Sequence, residues 1–309
     1  MTTAKFLEGI GGGLADRWLA TLFTPAFVFW LGGGAAALQR WGWQKISGEF
    51  TTLEDPLQIA VLVLALLGVA ASGYGVQQFD FTILRLLEGY WPNWCRPLHR
   101  WLLKGQKRRF HQIDQQLQDL SRKGLATPDD RQAYIQADLD LSNFPARSDR
   151  LMPTRLGNIL RAAEDRSGEK YGLDAVICWP RFWLVLPDGV KTELSEARNA
   201  LNLTARIYLW SLLFCLWGPG FQVWWPLPLG IIAALLAHRW MLRTASVYSS
   251  LLEASFDLHR FKLYEALHWP LPKNPAEELP LGNALTAYLW HGSDQALPQF
   301  TWPKSSNDP

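Results

Sequence analysis

Charged side chains are missing where a soluble chain would carry them. None of the residues from Ile207 to Ala237 is charged, and two further charge-free stretches run from Trp18 to Gln39 and from Pro56 to Phe79. Cysteine is scarce as well. Cys95, Cys178 and Cys215 are unpaired in spacing, which excludes a disulfide framework and a Cys/His metal site. The histidines at 99, 111, 238, 259, 268 and 291 form no HExxH or comparable metal spacing, no GxSxG is present, and the glycines at 9 and 11–13 lack the Lys-Ser/Thr of a phosphate loop. Asp138 and Asp140 alternate along a helix and so do not share a face. The first two apolar runs offer only Gln58, Thr21 and Thr24 as stronger polar groups, too few for chemistry inside a membrane. A non-enzymatic protein without metal or cofactor is expected. Nor is there an excess of one charge sign: 30 Lys and Arg against 28 Asp and Glu leave a net charge of +2, which argues against nucleic-acid binding.

What is present is segregation. Mean hydropathy is close to neutral, yet apolar runs lie toward both ends while a polar block rich in Arg, Asp and Gln fills positions 96–200. A hydrocarbon slab about 30 Å thick requires roughly 20 apolar helical residues per crossing. Many of the 17 tryptophans, among them Trp18, Trp41, Trp43, Trp91, Trp94, Trp217, Trp224, Trp225 and Trp240, flank the apolar runs as an interfacial belt does. The expected fold is therefore mainly α: an integral membrane protein with four transmembrane helices in two hairpins and a helical cytosolic domain inserted between them. Its expected segments are an N-terminal hairpin over 1–95, the cytosolic domain over 96–198, a second hairpin with a long helical stalk over 199–269, and a tail over 270–309. The beginning of the chain lacks a continuous apolar region before an A-x-A-like site, so the first run reads as a retained helix.

Orientation follows from basic residues near the membrane ends. Arg96, Arg100, Lys104, Lys107, Arg108 and Arg109 follow the second run with no acid before Asp114, and Arg239 and Arg243 follow the last. These ends belong on the cytoplasmic side, which places both termini there. The 31 residues from Ile207 to Ala237 are short for two full crossings and a turn. Either the third helix starts near Asn199 and the fourth continues past Arg239, the favoured solution, or a re-entrant hairpin turns within 218–228. From Leu229 to Trp269 there is no proline, and an uninterrupted helix would extend about 60 Å.

Small residues suggest how the first hairpin packs, with Gly32, Gly33 and Gly34 facing Gly68, Ala71, Ser72 and Gly75, within one chain or between subunits. In the polar block, Thr127-Pro128-Asp129-Asp130 reads as a helix start. A further helix is expected from Pro153 or Thr154 to about Ser167. The apolar segment Leu173 to Leu186 is either an interfacial element or, preferably, the core of the cytosolic domain.

Three sets of basic residues are candidates for function. Arg206, His238, Arg239 and Arg243 would lie near the inner leaflet and could ring a pore mouth that favours anions. Arg96, Arg100, Lys104 and Arg108 recur every four residues along one helix side and suit anionic lipid headgroups, unless they serve only as a topology signal. Arg155, Arg161 and Arg166 could bind an anionic ligand, with a salt-bridge network to Glu164, Asp165 and Glu169 as the more economical reading. The preferred expectation is an oligomeric, channel-like membrane protein, anion-conducting and gated by its cytosolic domain. The alternative is a non-conducting scaffold or signalling protein that recruits a cytosolic partner. The expected partners are accordingly the bilayer, an anionic lipid, other copies of the chain and a cytosolic protein.

Overall fold

The structure is a computed structural model that describes residues 24–125, 127–294, 296 and 298–302. The described residues form α-helices and two short 3₁₀ turns, with no strand among them. The start of the first apolar run and the polar end from Lys304 lie outside the described residues. The chain divides into two compact units. Unit 1 takes residues up to Leu84 together with Asn202–Met241; unit 2 takes Arg85–Leu201 together with Leu242 onward.

Unit 1 begins with α1 (Pro25–Trp41), which Thr24 starts by accepting from the Phe27 amide at 3.3 Å while Pro25 presets the first turn. Gly42, at φ 81°, ends α1 and leads into the short α2 (Trp43–Thr51). Helix α3 (Asp55–Gln78) starts on Asp55-Pro56 and buries none of its residues. Its Leu57, Ile59, Leu62 and Leu64 are each more than half exposed. Helix α4 (Asp80–Glu88) follows and reaches into unit 2. The remaining part of unit 1 comes from the second half of α9 (Asp188–Phe214), the short α10 (Trp217–Phe221) and the first part of α11 (Pro226–Ala266).

Close packing in unit 1 differs from the expected glycine-to-glycine pairing. A Cβ on Gly32 would stand 2.0 Å from the Phe214 ring, and one on Gly33 would stand 2.7 Å from Trp217. The glycines of α1 thus make room for aromatic rings of α9 and α10, whereas Gly68 and Gly75 of α3 have nothing within 4 Å of that position. Large flat rings fill a glycine notch with more contact than another small residue would. The Trp217 indole fixes the arrangement by donating to Phe29 O at 3.1 Å. Between α1 and α3 the contact runs through Trp30, whose indole donates to Ser72 Oγ at 3.1 Å.

Among the described residues two helical segments, not four, are long and apolar enough to cross a membrane: α3, and α9 with α10 over Asp188–Phe221. The expected first crossing begins outside the described residues, and its described part, α1, has 17 residues. The expected fourth crossing opens α11, where Pro226, Pro228, His238 and Arg239 dilute the apolar stretch. Helix length and composition therefore carry two spans, and the four-crossing architecture is not carried by them.

Unit 2 has an ordinary closed core. Helix α5 (Arg96–Arg122) packs on α6 (Pro128–Leu141) around Ile113, Ala137, Phe144 and Leu151. Thr127 and Asp130 make a reciprocal capping box at the start of α6, as the sequence pattern predicts. Helix α7 (Arg155–Tyr171) is capped by Thr154, and α8 (Ala175–Val185) by Asp174. The apolar segment of α8 is core: Cys178 and Phe182 are fully buried, and Phe182 stacks on Phe256 of α11 at 4.4 Å. Helix α12 (Pro275–His291), capped by Asn274, closes this core against α7 and α8. Its Thr286 hydroxyl donates to Gly172 O at 2.8 Å and accepts from the Asp174 amide at 3.2 Å.

Candidate functional site

In unit 1 the expected inner-mouth residues have different surroundings. Arg206 on α9 points within the unit, its Nε 3.5 Å from Asp80 Oδ1, and both side chains are largely buried. Together with Gly73, Tyr74 and Gln77 of α3 and Trp210 of α9, it lines a cavity of about 410 Å³. His238 packs its ring 5.7 Å from Tyr208, while Arg239 is exposed. Arg243 belongs to unit 2. Asp80, the partner that sequence reasoning missed, directly follows Phe79, the last residue of the second charge-free run. An acid at that edge, with an arginine just before the next run, was the available signal.

On α5 the basic residues of interest are open to solvent. Arg96, Arg100, Lys104 and Arg108 are all exposed, while Ile113 and Leu120 further along the same helix are buried. Trp94, 81% exposed, and Trp101, 70% exposed, accompany the basic residues. Tryptophan beside Lys and Arg is a combination suited to a headgroup layer.

The arginines of α7 engage different neighbours. Arg155 and Arg166 lie about 16 Å apart along the axis, being three turns removed, and Arg161 points elsewhere. Arg161 donates to the Tyr90 hydroxyl and lies 4.0 Å from Glu164. Arg166 donates to Glu253 and to Ser142 O. Glu253 also takes Lys170 at 2.6 Å, and Asp165 pairs with Arg150. Arg155 joins a different set. With Arg109 of α5, Asp140 of α6 and Arg243 of α11 it lines a cavity of about 200 Å³ that lies wholly in unit 2. Burial and the facing Arg155 lower the Arg109 guanidinium from its ordinary value, and Asp140 only partly opposes them.

A second polar cluster in unit 2 surrounds Glu88. Its carboxyl is pushed up to about 7, first by burial and next by Glu164, against the influence of Arg198, Arg85 and Arg161. Glu164 is itself raised by burial. Arg85 lies over the Tyr90 ring at 3.9 Å, and Arg198 lies 5.5 Å from the Tyr248 ring. Sequence reasoning missed Glu88, because nothing local distinguishes a half-buried acid at a helix end from a solvated one. Among the described residues no group of three or more His, Cys, Asp or Glu is placed to hold a metal ion.

No protein-family model, no curated protein and no solved structure matches this chain.

Proposed function

We propose that the chain is a multi-pass protein of the cell membrane that works as a scaffold or signalling protein, with unit 1 held in the bilayer and unit 2 meeting its partners in the cytoplasm. The observation that supports anchoring is α3, which buries none of its 24 residues and presents aliphatic side chains all round. At about 25 cal/mol per Å² of apolar surface, such a helix is costly in water and suited to lipid. The basic residues after the apolar runs put both termini on the cytoplasmic side. A non-conducting role is favoured by Arg206, whose charge is engaged by Asp80 within its own unit.

A second reading, an oligomeric anion channel gated by unit 2, draws on the cavity of about 410 Å³ that Arg206 lines. An ionisable side chain beside a cavity within a lipid-facing unit is a common mark of an ion pathway. Alkaline carbonate extraction followed by planar-bilayer recording of the reconstituted full chain under a chloride gradient separates the two. The scaffold reading expects membrane retention and no conductance above protein-free bilayers. A chloride-selective conductance that Arg206→Glu reverses would establish the channel instead, and release into the carbonate supernatant would overturn membrane anchoring itself.

A further inference from the structure

Arg109, Arg155 and Arg243 line the small cavity of unit 2, and among the described residues Asp140 is the one carboxylate on its wall. Three positive charges less one negative leave an excess of two. Within this unit Arg150 pairs with Asp165, Arg166 with Glu253 and Arg260 with Glu278, whereas many exposed arginines among the described residues have no such partner. Among the described residues Arg109, Arg155 and Arg243 make no ion pair within 4.0 Å. Arg155 acts on Arg109 as a like charge, and Arg155 and Arg243 stay open to solvent.

The wall behind them is set. Asn158 is fully committed, its Oδ1 accepting from the Met152 amide at 2.7 Å and its Nδ2 donating to Met152 O and Gln106 Oε1. The free hydrogen-bonding capacity of the cavity is therefore mainly donor, in the planar forks that match phosphate oxygens two at a time. A volume of about 200 Å³ corresponds to roughly six or seven waters at about 30 Å³ each, room for a phosphoryl group and a short ester arm.

We propose that this cavity binds a phosphoryl group, held by Arg109, Arg155 and Arg243. Two sources share that chemistry, a free phosphate ester and a phospholipid headgroup. Arg243 stands two positions past Met241, the last residue of unit 1, on the unbroken helix α11. The inference goes beyond the scaffold reading and does not rest on it, because every lining residue lies in unit 2; carbonate extraction and conductance leave it unaffected.

The test uses the full chain in phosphatidylcholine discs, with and without phosphatidic acid. Inorganic phosphate is titrated by calorimetry, and retained phosphatidic acid is counted by native mass spectrometry. Wild type is expected to bind at least one probe, and Arg155→Gln or Arg243→Gln to weaken that binding about tenfold, the loss of one charge-assisted contact. Asp140→Asn is expected to tighten it, a change that no unfolding would produce. Arg181→Gln, which removes a guanidinium bonded only to its own helix at Ile177 O, is expected to change nothing. Phosphate binding lost in the two Gln variants identifies a free ester as the source; phosphatidic acid lost in them identifies the headgroup. Failure of wild type to bind either probe, or equal binding by all variants, overturns the proposal.

Discussion

The Glu88 carboxyl is held well above its ordinary value by its surroundings. Burial and the nearby Glu164 outweigh Arg198, Arg85 and Arg161, so the folded protein resists its ionisation up to about pH 7. In the unfolded chain the same group ionises near 4.5. Its folded value is the higher one, so its contribution to stability is fully present below the unfolded value. That contribution declines as pH rises through the window from about 4.5 to about 7 and is gone above it. Glu88→Gln keeps the shape and removes the titration. The variant is expected to melt higher than wild type at pH 8 and nearly with it at pH 4.5, as followed by circular dichroism. An unchanged difference between the two pH values would show that another group sets the dependence.

At the scale of helices, much was legible because the signals are local. The lack of charge in 56–79 marks α3, the absence of proline beyond Pro228 lets α11 run through to Ala266, and Thr127-Pro128 starts α6. Which surfaces meet was less legible, because contact partners far apart in sequence leave no periodic trace. Gly32 reads equally well as a seat for another glycine or for Phe214. Arg109, Arg155 and Arg243 come from three helices, so no spacing announces their cavity, whereas the regular spacing of Arg96, Arg100, Lys104 and Arg108 was visible on one helix. The crossing of α7 and α12 is another hidden contact. A Cβ on Gly282 would stand 1.8 Å from Tyr171 O, a backbone atom that cannot swing aside. Gly282→Ala must therefore part the two helices, and overpacking of this kind typically costs about 1–3 kcal/mol. Urea denaturation is expected to show a loss of at least that size, while Gly105→Ala, at a glycine within α5 that has open space around it and no positive φ, is expected to cost nothing. Equal losses would mean that α7 and α12 do not approach so closely.

At the scale of the whole chain, neither unit is continuous in sequence. Unit 2 is assembled from Arg85–Leu201 and from Leu242 onward, with residues of unit 1 between them. The core places Leu173, Cys178 and Phe182 from the first portion against Phe256, Tyr264 and Leu285 from the second. A chain cut before Pro275 keeps α3 and loses α12. It is expected to remain with the membrane on carbonate extraction while unit 2 becomes sensitive to trypsin and binds a hydrophobic dye. Trypsin resistance equal to that of the full chain would show that α12 is dispensable to the core. The same interleaving bears on birth order at the ribosome. Between Leu186 and Leu285 lie about 100 residues, and at roughly 5–20 residues per second their synthesis takes about 5–20 s. For that interval the aromatic side chains of α8 have been made but the helix that completes their cover has not, so each new molecule passes through a stage at which chaperones and proteases can engage it before its last helix arrives.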